Sequence, residues 1–191
     1  MLISGIDLID TPVLSLQTGR ELARTTEAIV NPHDLTVVAY ELTGHHLDYH
    51  PSFLRTADIR ELSPVGMIID SSEEFIQPDD IIKQKDIYDM RYRLEHKVVL
   101  DEKRHKVGKV ISYNVDAESF VIQQLTVKRP LLQSFNDSEL VIHRSQVIEV
   151  TDHAVLIKSK ADAVKPLPKA AQNYVNPFRQ SPQAEAMEAK E

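Results

Sequence analysis

The segment LTVVAYEL, residues 35–42, is repeated 85 positions later as FVIQQLTV, residues 120–127. Each segment is rich in β-branched and aromatic residues, which is typical of a strand, and each follows a polar turn sequence. The apolar positions coincide over a longer window, residues 13–42 against 98–127, and the match resumes at a shift of 88 for residues 53–71. This pattern predicts a tandem duplication of a small β unit.

The repeat divides the chain into four segments. We predict a first β unit at 1–75, a connector at 76–93, a second β unit at 94–160 and a disordered tail at 161–191. In each β unit a hairpin of two longer strands precedes a one-turn helix and further short strands. Because such short strands cannot leave their edges free, we expect two tandem small β-barrels. The predicted fold class is all-β, with short helical turns and a partly helical connector.

Composition limits the functional classes. The chain has 191 residues and is 42% hydrophobic, which is enough to bury a core. It has no cysteine, so disulfides and thiolate metal sites are excluded, which suits a reducing compartment. The first residues lack the pattern of a secretory signal, and no stretch of 18 apolar residues occurs. We therefore expect a cytoplasmic protein without a membrane span.

The formal net charge of −7 is distributed unevenly along the chain. Residues 1–95 hold 8 basic and 17 acidic side chains, whereas residues 96–191 hold 14 and 12. Binding to nucleic acid depends on neutralising phosphates. The charge therefore disfavours nucleic acid as a partner, except indirectly through a ribonucleoprotein.

The sequence KVVLDEKRHKVGKVISYNVD, residues 97–116, resembles the opening of a PRC-barrel domain. This family of small β-barrels has a pattern of an apolar pair, Asp, a turn, a small apolar residue, Gly, Lys and Val, and Gly108 matches its glycine. It includes domains similar to the cytoplasmic part of the photosynthetic reaction-centre H subunit and to the C-terminal half of the bacterial ribosome maturation factor. Two departures are His96, where the family often has glycine, and Ala23, which takes the place of Gly108 in the first unit.

The resemblance implies a protein-interaction or assembly role and carries over no catalytic residue and no cofactor. The residues agree with this implication. The chain has only five glycines, and its sequence contains neither a dinucleotide-binding fingerprint nor a P-loop motif. No serine lies in a nucleophile-elbow pattern. We therefore expect a protein that is not an enzyme.

The sequence GHHLDYH at 44–50 is the sharpest chemical cluster. Imidazole and carboxylate side chains bind zinc or similar ions, so His45, His46, Asp48 and His50 are candidate ligands. A solvated His-rich loop explains the same residues, because the second unit has no histidine at the equivalent place. A pH-responsive loop is a further alternative. Our prediction is that no metal or other cofactor is bound.

Two other regions are candidates for protein contacts. The basic residues of the first region are Lys103, Arg104, Lys106 and Lys109. They either face an acidic partner or keep a barrel edge soluble. The second region is the sequence YVNPFR at 174–179, an aromatic island in a tail that has four prolines. It is either a docking motif or a segment that folds back on a barrel, with Tyr174, Asn176, Pro177, Phe178 and Arg179 as contact residues.

These observations favour a noncatalytic intracellular adaptor or assembly protein with a protein partner. Self-association of the chain is left open, because the basic second unit and the acidic first unit are complementary in charge. Two alternatives also stay open. One is a role in maturation of the small ribosomal subunit, and the other is a metal-binding or pH-responsive function of the His-rich loop.

Overall fold

A computed structural model of the protein describes residues 1–45, 47–77, 85–129 and 139–158. Within these ranges the chain forms fourteen strands and one α-helix. The elements of the N-terminal part are β1 (Leu2–Ser4), β2 (Pro12–Ser15), β3 (Glu21–Asn31), β4 (Thr36–Thr43), β5 (Ser52–Arg55), β6 (Glu61–Ser63), β7 (Gly66–Ile69) and β8 (Phe75–Ile76). The remaining elements are α1 (Lys85–Met90), β9 (Val98–Leu100), β10 (Lys106–Asp116), β11 (Ile122–Lys128), β12 (Glu139–His143), β13 (Val147–Val150) and β14 (Ala154–Ile157).

The strands form two seven-stranded sheets with matching order. The first sheet runs β6-β7-β2-β3-β4-β5-β8, and the second runs β12-β11-β10-β9-β14-β13 with β1 beside β10. Neighbouring strands are antiparallel except for one parallel pair in each sheet, β2–β7 and β9–β14. Strands that correspond in the sequence repeat therefore occupy corresponding places. The all-β class is confirmed. Within the described ranges no strand pairing closes either sheet, and the barrels remain a prediction.

The local predictions of hairpins and tight turns are also observed. β3 pairs with β4, and β10 pairs with β11, each across a short polar turn. A one-turn 3-10 helix follows β5 at Thr56–Asp58, and another follows β12 at Arg144–Gln146. The His143 side chain accepts the Ser145 amide hydrogen, and the Gln146 side chain accepts that of His143, so both ends of a capping box are present.

A local two-fold arrangement joins the two sheets. Leu35 and Phe120 are equivalent in the repeat, and both have a left-handed backbone, with φ of 53° and 54°. The Val37 amide donates to the Phe120 carbonyl at 3.0 Å, and the Ile122 amide donates to the Leu35 carbonyl at 2.8 Å. Val37 and Ile122 are themselves equivalent, so the two hydrogen bonds are reciprocal. This is the geometry of a symmetric dimer interface within one chain.

The main core is continuous across this junction. One cluster of buried apolar side chains contains residues of both sheets, among them Val13, Leu54 and Met67 from the first and Val99 and Leu125 from the second. The rings of Tyr40 and Phe120 meet edge to face across the junction at 6.4 Å. Because burial of apolar area is the dominant favourable term in folding, the shared cluster makes each sheet depend on the other.

The N-terminal strand and the connector helix link the sheets further. β1 precedes the first sheet in the chain but pairs with β10, with Ile3 opposite Val115. In the first sheet α1 packs on β3, the strand that corresponds to β10 in the repeat. The Tyr88 ring of α1 meets the Phe53 ring edge to face at 5.1 Å. Among the described residues no helix is long and apolar enough to cross a membrane.

Candidate functional site

A half-open cleft of about 480 Å³ lies between the two sheets. Positions that are equivalent in the repeat line it from both sides: Thr26 and Ile111, Glu27 and Ser112, and Ala28 and Tyr113. The cleft is therefore built where the two halves of the duplication face each other. Clefts between domains are common ligand and partner sites, so we take this one as the candidate functional site.

One wall of the cleft carries two opposed carboxylates. Glu27 of β3 and Glu41 of β4 are direct cross-strand neighbours, and their side chains are only 19% and 23% exposed. Like charges at opposed positions repel, so this pair needs a cation. The Arg91 guanidinium supplies it, with Nη1 at 2.9 Å from Glu41 Oε2 and 3.7 Å from Glu27 Oε2. The equivalent residues of the second sheet are Ser112 and Thr126, so the charged wall belongs to the first sheet alone.

The chain around Arg91 ties both sheets to the cleft. Arg93 Nε lies 2.6 Å from Glu27 Oε1, which raises the pKa of the guanidinium through that hydrogen bond and charge. Between the two arginines, the Tyr92 hydroxyl donates to the Thr151 carbonyl, in the connection between β13 and β14 of the second sheet, at 3.1 Å. Burial raises the pKa of Tyr92 to about 12, and Lys97 Nζ lies 4.7 Å from the ring centroid. Arg91 and Arg93 thus contact the first sheet, whereas Tyr92 between them contacts the second.

Apolar side chains line the same cleft and remain open to solvent. Ile6 is 72% exposed and Ile111 is 37% exposed, and both line the cleft together with half-buried Ile9. The backbone at Gly5 lies directly on the Tyr113 ring, since a Cβ atom there would be 2.3 Å from a ring carbon. The cleft therefore combines exposed apolar area with two arginines and several carboxylates.

The His-rich candidates lie in the loop between β4 and β5. His45, Asp48 and His50 are exposed, and His46 lies outside the described residues. In the part of the chain that is described, no three His, Asp or Glu side chains converge as a metal site would require. Metal binding by this loop stays an open alternative to the prediction that no metal is bound.

The basic candidates lie together at one end of the second sheet. Lys103 and Arg104 form the exposed turn between β9 and β10, and Lys106 and Lys109 are exposed on β10. Lys109 lies directly opposite Lys128 of β11. A further lysine thus lies beside the basic run, and the role of these residues in protein contact stays a prediction.

The tail candidates Tyr174, Asn176, Pro177, Phe178 and Arg179 lie outside the described residues. Sequence reasoning missed the residues that line the cleft. Their signal was present in two places: glutamates at opposed positions of a predicted hairpin, and the alternation of arginine with tyrosine in RYR at 91–93. The repeat also predicts that equivalent strands face each other if the two units pair symmetrically.

The chain was compared with protein-family models and with curated proteins, and nothing matches it.

Proposed function

We propose that this protein is a noncatalytic cytoplasmic assembly protein, built on two PRC-barrel-like units, that holds a polypeptide partner in the cleft between its sheets. The observation that carries the proposal is the pair of exposed isoleucines, Ile6 and Ile111, which line the same cleft as Arg91 and Arg93. Exposed apolar side chains beside arginine are typical of the centre of a protein interface. A half-open cleft also suits an extended chain better than an enclosed small molecule.

Connectivity supports the barrel-like part of the proposal. β12 and β13 are the two outer strands of the second sheet, five strand spacings apart, which is about 24 Å in a flat sheet. Only Arg144–Gln146 connect them, and a chain of this length spans at most about 14 Å. A connection this short requires the two outer strands to approach each other, and a strongly curled sheet of this kind supports the proposed barrel-like unit.

Affinity capture with matched surface variants tests the function. Ile6→Asp with Ile111→Asp places charges in the cleft, and we expect it to abolish capture of the specific partner. The control is Leu16→Asp with Ile148→Asp, since these side chains are 65% and 47% exposed and lie outside the cleft lining. We expect the control to capture the partner as well as the unchanged protein does.

Direct titration of the captured partner in purified form completes the test. If the cleft variant and the control variant lose binding equally, or if both keep it, the cleft is not the partner site. A version ending at Lys160 separates the contribution of the tail. Partner binding that needs residues 161–191 and is insensitive to the cleft variant would assign recognition to the tail instead of the cleft.

A further inference from the structure

The outer edge of the first sheet is covered by a two-residue strand. β8 pairs antiparallel with β5, with Ile76 opposite Phe53 and Phe75 opposite Leu54. Edge strands that keep unpaired amide and carbonyl groups are liable to pair with foreign chains. The two residues of β8 pair with the outer edge of β5 and so protect it from such pairing.

The equivalent edge of the second sheet is open among the described residues. β12 corresponds to β5 at the repeat shift of 88, so Val141 and Ile142 take the places of Phe53 and Leu54. β12 pairs with β11 on one side, and the described residues provide no strand on the other. The edge therefore lacks the counterpart of β8.

The repeat supplies a counterpart in the sequence. At the same shift of 88, SSEEFIQP at 71–78 aligns with SKADAVKP at 159–166. The first serine and the last proline are identical, and Ala163 and Val164 align with Phe75 and Ile76. In the first sheet Ser71 Oγ accepts the Glu73 amide hydrogen at 3.2 Å and so caps the 3-10 turn before β8. Ser159 is aligned with this capping serine.

We propose that Ala163 and Val164 add a short antiparallel strand to the outer edge of β12, opposite Ile142 and Val141. The chain reaches this edge with the same number of residues as in the first sheet, because Ile69 and Ile157, the last residues of β7 and β14, are also 88 apart. Composition alone predicts a disordered tail from residue 161 onward, whereas the repeat register aligns Ala163 and Val164 with β8. Alanine and valine bury less apolar area than phenylalanine and isoleucine, so this strand detaches more easily than β8.

Engineered cysteines test the pairing, because the natural chain has none. Val141→Cys with Val164→Cys places two thiols at opposed positions of the proposed pair, within disulfide range. The matched control is Val141→Cys with Ala170→Cys, which carries the second thiol six residues further along the tail. Under mild oxidation we expect an intramolecular disulfide that forms about tenfold faster in the first variant. Equal rates in the two variants, or a disulfide only between two chains, would overturn the proposal.

Hydrogen exchange provides a second test without cysteine. Proline cannot donate to a ladder, so Ala163→Pro with Val164→Pro removes the proposed strand. We expect the outward-facing amides of β12 to exchange about tenfold faster than in the unchanged protein. Ala170→Pro with Ala171→Pro is the control and leaves their exchange unchanged. Exchange at β12 that is the same in both proline variants would also overturn the proposal.

Discussion

Gly108 lies at the closest approach of β10 to the end of β11. A Cβ atom at this position would lie 2.3 Å from the Lys128 carbonyl oxygen and 2.6 Å from Val127 Cγ1. The first sheet meets the same requirement differently. Ala23 takes the place of Gly108, and the residue opposite it is Gly44, whose added Cβ would lie 3.2 Å from Ala23 Cα. In each sheet, one glycine thus allows the two backbones to approach closely at this place, Gly108 in the second sheet and Gly44 in the first.

At the residue scale we therefore predict that Gly108→Ala destabilises the fold by roughly 1–3 kcal/mol, because backbone must move to admit the methyl group. Gly44→Ala is expected to cost less, since its contacts are longer. Urea midpoints of the two variants measure the difference. A larger loss for Gly44→Ala would contradict the backbone-contact explanation.

Asp116 orders the turn between β10 and β11. Its Oδ1 accepts hydrogen bonds from the Ser119 amide at 3.0 Å, the Ser119 hydroxyl at 3.0 Å and the Glu118 amide at 3.2 Å. Its Oδ2 lies 3.3 Å from the N-terminal amino group. The hydrogen bonds from Ser119 and Glu118, together with that amino group, lower the pKa of Asp116 to about 2. The equivalent residue of the first sheet is Asn31, which caps its own turn without a charge.

Acid unfolding is expected to reflect this pKa. The folded value lies below the unfolded one, so the charged carboxylate stabilises the fold above about pH 4, and this contribution is lost as the pH falls toward about 2. Asp116→Asn keeps the turn but removes the titration. We expect the urea midpoint of the variant to change less between pH 4 and pH 2 than that of the unchanged protein. Parallel curves for the two proteins would refute this expectation.

At the scale of elements, β3 and β4 depend on the connector to hold Glu27 beside Glu41. Removing the Arg91 charge leaves Glu41 without its ion pair and opposite Glu27, on which Arg93 remains. We predict that Arg91→Gln costs about 1 kcal/mol, the upper end for partly exposed ion pairs. In a Glu27→Gln background the same change is expected to cost much less, because the repulsion is already gone.

A double-mutant cycle from urea unfolding measures this coupling. Arg60→Gln serves as the control, because Arg60 pairs with Asp70 outside the cleft at 2.5 Å. Its cost should be independent of Glu27→Gln. Additive effects of Arg91→Gln and Glu27→Gln would show that the connector does not neutralise the wall.

Most elements of each sheet could be predicted because their signals are local. Hairpins follow from β-branched runs with polar turns, and the 3-10 turn before β13 follows from a polar segment ahead of an apolar one. Two pairings could not be predicted. β1 crosses to β10 through a backbone ladder that any extended residues can form, and β8 consists of only two residues. A strand of two or three residues that pairs through its backbone is too short to show a recognisable sequence pattern.

At the scale of the whole molecule the two sheets share one core, and we predict that they unfold together. Phe120→Ala should cost about 3–5 kcal/mol because it empties the space beside Tyr40 at the junction. Hydrogen exchange is expected to accelerate equally at amides of the shared core in both sheets, such as those of Val30 and Leu125. The control is Val65→Ala, a change at an exposed side chain, which should alter neither the free energy of unfolding nor the exchange rates.

Loss of protection confined to the second sheet would instead mean that each sheet folds alone. The sequence predicts the duplication behind this arrangement but not the junction itself. Leu35 and Phe120 differ in size, and their left-handed backbone, which few such residues adopt, has no marker in the residue type. The cleft was missed for the same reason, because it exists only once the two halves face each other.

The pairing of β1 with β10 also fixes an order of events during synthesis. Residues 2–4 leave the ribosome more than a hundred residues before their partners at 114–116. At roughly 5–20 residues per second the nascent chain waits for about 6–20 s with this strand unpaired. The first sheet can complete its own strand pairs in that interval. Residues 2–4 therefore stay without their strand partner until β10 has been made, long after the strands of the first sheet are complete.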